Sequence, residues 1–199
     1  MGVYCYFKII NAILSQKPNM NKMRNYFGIL ALIIFASCNS DANKTAAIKD
    51  TITVKTEKIA PSNISFKDIK VQELYTSYIS LKNALVASKF DEAKTVSKDF
   101  SLQLKAYSGC ENTAIIAKKI VNAKDITEQR KEFTALSSDV IALFKHTELA
   151  SGTIFVQHCP MANNGDGGDW LSSEKKIQNP YYGSEMMECG AVIEEIKTK

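Results

Sequence analysis

The sequence predicts a mainly α fold: an up-and-down antiparallel bundle of about four helices, with an irregular C-terminal appendage containing a short strand. Two patterns predict it. Between residues 66 and 150, apolar side chains recur at three- and four-residue spacing in four successive runs with short breaks between them. After Ser151-Gly152 that period stops, and a brief β-branched and aromatic run gives way to turns rich in Gly, Asn, Asp and Pro.

The first helical stripe is Val71, Leu74, Tyr75, Tyr78, Leu81 and Leu85. Ser88 to Phe90 interrupts it. The second is Ala93, Val96, Phe100, Leu104 and Tyr107, closed by Ser108-Gly109. Glu111 to Val121 forms a shorter helix with Ile115, Ile116 and Ile120 as its apolar side. Asp125 caps the fourth, with Glu128 three residues on at the spacing of a capping box. Its stripe is Phe133, Leu136, Val140, Leu143 and Phe144, and His146 stands where a cation compensates the helix C-terminus. Short connections between striped helices make neighbours antiparallel.

In the appendage, Thr153 to Gln157 has strand composition, and Pro160 stops it because proline donates nothing to a ladder. Asn163 to Asp169 is a turn, without the ligand spacing of a calcium loop. Trp170 and Leu171 are apolar anchors, and Asn179-Pro180 opens another turn. Glu185 to Cys189 reads as one helical turn, and Val192 to Ile196 as a closing segment. Residues 66–150 and 151–199 are expected to pack as one domain.

The N-terminal part is built differently. Met20 to Arg24 is a short basic run, Tyr26 to Phe35 is apolar, and Ala36-Ser37-Cys38 follows. That order is the layout of a secretory signal, too short to span a membrane. Phe35-Ala36-Ser37-Cys38 resembles a bacterial lipobox, which implies acylation of Cys38 and a membrane anchor. Residues 1–37 are therefore read as an upstream extension plus a lipoprotein signal peptide, with Met20 or Met23 the initiator. Residues 38–65 are read as the acylated cysteine and a polar tether, whose coil would span roughly 30 Å. The expected location is the periplasmic side of a bacterial cell envelope.

Removing residues 1–37 changes the charge. They contain Lys8, Lys17, Lys22 and Arg24 and no acidic group, so 25 basic side chains become 21, against 21 acidic ones. The formal +4 of the whole chain falls to zero. A nucleic-acid partner needs a basic patch, and none is expected. No Ser/His/Asp set or phosphate-binding glycine loop is recognisable, so no enzymatic activity is expected.

The chemistry-bearing residues cluster. Past Cys38, the methionines are Met161, Met186 and Met187, and they share one window with His158, Cys159 and Cys189. Thiolate and thioether sulfur are soft ligands that select Cu(I). If Cys159-Pro160-Met161 is extended, Cys159 and Met161 face one way and His158 the other. If Met186 to Cys189 is helical, Met186 and Cys189 share a face and Met187 turns away. Two clips then converge, and Cys159, Met161, Met186 and Cys189 become candidate ligands for Cu(I) or Ag(I). His158 and Met187 are secondary. Zinc would use Cys159, Cys189, His158 and Glu188, which leaves the methionines without a role. The alternative is a Cys159–Cys189 disulfide closing a loop of about 30 residues, worth roughly 3–4 kcal/mol in the chain-entropy model. Cys110, after Ser108-Gly109, reads as a helix-start residue or spare thiol.

An ordered series of motifs carries a resemblance. Phe155 to Asn163, Trp170-Leu171-Ser172, Asn179 to Gly183 and Met186 to Gly190 resemble domain of unknown function family 3347, over roughly residues 66–197. The resemblance implies a small bacterial lipoprotein, or a domain attached to the periplasmic adaptors of copper/silver efflux pumps. Cys-Pro-Met is similar to the heavy-metal-binding segment of such adaptors. It implies the same four ligands, with His158 secondary because relatives carry Tyr or Phe there. The resulting expectation is a Cu(I)/Ag(I)-binding lipoprotein that buffers the metal or delivers it to a heavy-metal efflux adaptor. The alternative is a metal-free interaction module held by a Cys159–Cys189 disulfide.

Overall fold

The computed structural model describes residues 64–198. The expectations for the signal segment, Cys38 and most of the tether lie outside the described residues. Four helices run in order: α1 (Ile69–Val86), α2 (Phe90–Ala106), α3 (Glu111–Asn122) and α4 (Ile126–Lys145). Each packs mainly against its chain neighbour, the up-and-down arrangement that short connections impose. No helix among the described residues is long and apolar enough to cross a membrane.

Local chemistry sets the helix ends. The Asp68 carboxylate accepts the Lys70 N–H at 2.8 Å and starts α1. Ser88, at φ 55°, turns the chain out of α1, and the Lys89 N–H closes on the Ala84 carbonyl at 2.9 Å. Asp125 caps α4 by accepting the Glu128 N–H at 2.8 Å. Glu128 returns the bond to the Lys124 N–H rather than to Asp125, one residue off the expected box. Cys110 is the N-cap residue of α3, is buried, and is not among the free thiols. His146 is the C-cap residue of α4.

All six residues of the first stripe are buried, as are all five of the fourth. The third stripe needs correction. Ile120 is buried, but Ile115 is 60% exposed. The inner face of α3 is instead Thr113, Ala114, Ala117 and Ile120. Those small side chains let α2 approach closely enough for the Ser101 hydroxyl to donate to the Ala114 carbonyl at 2.9 Å.

The appendage is more regular than expected. Strand β3 (Thr153–Cys159) lies between β4 (Gly168–Ser172) and β5 (Ala191–Lys197) in an antiparallel three-stranded sheet. A separate pair joins β1 (Ser65–Phe66) to β2 (Leu149–Ser151). Directly paired residues share a sheet face. One face therefore carries Phe155, Gln157 and Cys159 with Ser172, Trp170 and Gly168. The other carries Val156 and His158 with Leu171 and Asp169.

Residues 173–190 fold over the first face. Gln157, fully buried, donates its Nε2 to the carbonyls of Glu174, Lys175 and Lys176 at 2.8, 3.3 and 3.3 Å. The Lys175 ammonium lies 5.7 Å from the centre of the Phe155 ring. The sheet is fastened to the bundle through aromatic side chains. Tyr78 on α1 accepts the Leu171 N–H at 3.1 Å and shares a short hydrogen bond with Ser137 on α4. Its ring stacks on Phe133, Phe133 meets Tyr181, and Tyr181 meets Trp170, at centroid spacings of 5.7, 5.8 and 6.0 Å. A continuous apolar path thus runs from the bundle core to the underside of the sulfur-bearing loop.

Candidate functional site

The sulfur site lies where β3 ends and β5 is about to begin. Cys159 is the last residue of β3, on the covered face and fully buried. Cys189 is half-buried and arrives from the loop. Gly190 makes that approach feasible: at φ +142° it passes so closely that a Cβ would stand 2.7 Å from the His158 carbonyl oxygen and 3.0 Å from the Trp170 ring. Any side chain there would lift the loop away from β3.

Backbone and amide groups hold the two strands of this site together. Asn179, fully buried, donates its Nδ2 to the Cys189 carbonyl at 3.0 Å, while its own N–H meets the Met187 carbonyl at 3.0 Å. The Asn179 side-chain oxygen accepts the Tyr181 N–H at 2.8 Å. Tyr182 donates its hydroxyl to the Met161 carbonyl. Arg130 on α4 bonds the Pro180 carbonyl, the Leu85 carbonyl and the Ser88 hydroxyl at 2.9, 3.0 and 2.8 Å. The loop is therefore tied to the end of α1 as well as to the sheet.

The two sulfurs stand 2.9 Å apart. A disulfide bond is about 2.05 Å long. Two thiolates about 2.3 Å from one tetrahedral ion stand roughly 3.8 Å apart, and a linear ion spreads them further. Closing to a bond needs a displacement of under about 1 Å, whereas admitting an ion at a favourable angle needs the sulfurs to separate. The Cys189 thiol is pushed up from its ordinary value, first by its hydrogen bond with Cys159, then by burial and the charge of Cys159. The Met161 N–H, donated to Cys189, pulls the other way.

The predicted ligands are only partly brought together. Cys159 and Cys189 meet. Met161 touches Cys189 through its backbone, but its side chain is 53% exposed while that of Cys159 is fully buried. The extended geometry expected for Cys159-Pro160-Met161 does not hold. Pro160 ends the strand, and Met161 at φ −86°, ψ −12° has entered a turn. The expected helical turn is displaced too. A 3-10 turn covers Gly183–Glu185, and Met186 at φ −143°, ψ 52° lies beyond it. Met186 accepts the Cys189 N–H through its carbonyl at 3.1 Å, so 186–189 is a reverse turn. Met186 and Met187 are half-buried.

His158 is on the other sheet face, as alternation requires, with its Nδ1 2.7 Å from Asp169 Oδ1. That position removes it from the zinc set with Cys159, Cys189 and Glu188. Among the described residues, no group of three or more His, Cys, Asp or Glu side chains could hold a metal. Sequence reasoning did not single out Asn179, Gln157 or Asp169 as site-forming side chains. Only the Asn-Pro pair hinted at Asn179, as a turn.

Fold and site define a four-helix bundle bearing a three-stranded sheet, with a thiol pair beneath a loop that the bundle itself anchors. Residues 74–152, from the first turns of α1 to just past β2, match the model of a family described as protein of unknown function (DUF3347). The matched stretch ends before Cys159, so it covers the bundle and not the sulfur site. No curated protein and no solved structure matches the chain.

Proposed function

We propose that this chain is a non-catalytic interaction module of the bacterial cell envelope, whose sheet-and-loop segment is held by the Cys159–Cys189 pair without a resident metal. The observation that carries this reading is the 2.9 Å approach of the two sulfurs. An anchor through an acylated Cys38 would place the module at the membrane on the periplasmic side. The exposed Met161 supplies a flexible apolar side chain of the kind that adapts to a partner, and Met186 and Met187 are half-buried. A periplasmic heavy-metal efflux adaptor is the partner that the family resemblance suggests.

A second reading has its own support. The Met161 backbone, against the raising effect of Cys159, favours charge on the Cys189 sulfur, and Met161 is exposed. A Cu(I) or Ag(I) ion taken by Cys159, Cys189, Met161 and Met186 would then be buffered or passed on. It requires the sulfurs to part and the Met161 and Met186 side chains to swing in. Anaerobic purification of the full chain, with metal content and free thiols measured together, separates the two. The first reading expects no stoichiometric metal. About one copper or silver per chain, lost in Cys159→Ser and weakened in Met161→Ala, would replace it with the second.

A further inference from the structure

We infer that Cys159 and Cys189 form a redox-active dithiol that exchanges with an external low-molecular-weight disulfide, Cys189 attacking and Cys159 resolving. This rests on the metal-free reading and adds an activity to it.

The two sulfurs differ in access. Cys159 is fully buried beneath the loop, while Cys189, at the end of the loop beside β5, is half-buried, so an external disulfide reaches Cys189 more readily than Cys159. They are also already in place for the second step, 2.9 Å apart. A sulfur poised beside its partner resolves a mixed disulfide faster than a second external thiol can.

The third observation separates this pair from a purely structural staple. A staple stabilises mainly by constraining a loop that would otherwise be free. Here hydrogen bonds fasten the loop alongside the sulfur pair, so the pair is not its sole fastening. Asn179 holds the Cys189 and Met187 carbonyls, Tyr182 holds the Met161 carbonyl, Gln157 holds residues 174–176, and Arg130 holds Pro180. Bond formation and cleavage can therefore proceed with the surrounding backbone unchanged, as a reversible pair requires.

The Cys189 thiol gives its proton to solvent, and its thiolate attacks one sulfur of the external disulfide. A protein–ligand mixed disulfide forms and one thiolate leaves, taking up a proton. The Cys159 thiol then loses its proton and attacks Cys189 Sγ, forming the Cys159–Cys189 bond and expelling the second thiolate, which is protonated in turn. The protein loses two electrons and two protons, and the external disulfide gains both. The Cys189 thiol is pushed up from its ordinary value chiefly by its hydrogen bond with Cys159, with the Met161 backbone offsetting part of this, so attack is driven by access and by the nearby partner sulfur rather than by a lowered thiol.

The test uses the full chain, reduced and desalted without metal, then exposed to glutathione disulfide, alkylated and mapped by peptide mass spectrometry. Wild type should lose both thiols at 159 and 189 and yield their linked peptide with no glutathione retained on either of them. Cys159→Ser should trap glutathione on Cys189. Cys189→Ser should leave Cys159 unmodified over the same interval, with helical circular dichroism confirming that both variants fold. Reducing the oxidised wild type should restore both thiols without changing the helical signal or the Trp170 fluorescence. Absence of the linked peptide overturns the proposal, as does glutathione accumulating equally on Cys159 in Cys189→Ser. A Trp170 signal that moves to its denatured position on reduction also overturns it, leaving the pair a structural staple and the metal-free reading intact. Stoichiometric copper or silver in the purified wild type, with both thiols blocked to glutathione disulfide, defeats the metal-free reading itself.

Discussion

The bundle and the sheet-and-loop segment hold themselves together in different ways. In the bundle, each helix satisfies its backbone locally and offers one apolar stripe, so that Val71 to Leu85 or Phe133 to Phe144 do the same job at every turn. In residues 153–197, no short stretch is self-sufficient. Cys159 meets a residue 30 positions away, Leu171 depends on Tyr78, 93 positions away, and the loop rests on the side chains of Asn179, Gln157 and Arg130. A repeated pattern spreads its burial over many members, except where one of them, such as Phe133, also carries the link to the sheet, whereas a chain of single contacts has no such spread. The comparison teaches that substitutions in the second region should act specifically, and that the two regions communicate through a few aromatic rings.

The largest test removes one of those rings. Phe133→Ala takes away the side chain between Tyr78 and Tyr181 and should cost about 3–5 kcal/mol. Trp170 is the single tryptophan, so its fluorescence reports the sheet while far-ultraviolet circular dichroism reports the helices. The two unfolding curves should shift together in denaturant. A Trp170 transition well ahead of the helical one would show that the regions fold independently, and the comparison would have to be redrawn as two separate units.

Next comes a buried charge at the junction. Lys82 on α1 is only 3% exposed, and burial pushes its amine down to about 8, with the charge of Glu174 pulling upward. Because the folded value lies below the unfolded one, the unfolded chain binds the extra proton between about 8 and 10.5. Stability therefore rises with pH across that window, and the cost is fully present below it. Lys82→Met should stabilise the protein at neutral pH by roughly 3 kcal/mol, and should flatten the pH dependence between 8 and 10.5. Denaturant midpoints at neutral and alkaline pH check both halves, and an unchanged slope with pH would refute the assignment.

Asn179→Ala sharpens the contrast further. It leaves the Cys189 carbonyl and the Tyr181 N–H without their partner and should cost about 1–3 kcal/mol. Its distinguishing effect is local: faster alkylation of Cys159 and Cys189 in the reduced protein, with the helical signal unchanged. Equal protection of both thiols in variant and wild type would remove Asn179 from its bracketing role. The smallest effect belongs to a helix cap remote from the aromatic path. Asp125→Ala should cost about 1 kcal/mol through loss of the α4 cap, measured as a lower melting temperature, with thiol reactivity unaltered. A change in thiol reactivity there would mean that the regions are linked more tightly than the aromatic path implies.

The bundle follows from local pattern alone. The helix period is a local property, and the stripes at Val71–Leu85 and Phe133–Phe144 have one arrangement that buries them, while in Ala93–Tyr107 Val96 and Tyr107 are only partly covered. Caps such as Asp125 and breaks such as Ser88 act within a few residues, so they are legible as well. Ile115 escaped this reading because an apolar residue at a plausible spacing does not say which side of α3 its neighbours will use; the small Ala114 and Ala117 decided that. The clustering of sulfur near the C-terminus was visible too, and so was the approach of Cys159 and Cys189 as one of two alternatives. Which sulfurs converge depends instead on long-range packing. Pro160 and the turn after it rotate Met161 outward, and the reverse turn at Met186 replaces the expected helical facing. Gly190 lets the chain pass over Trp170 close enough to deliver Cys189 to Cys159. In a loop, side-chain direction follows from the residues packed against it, and here those residues are distant in sequence.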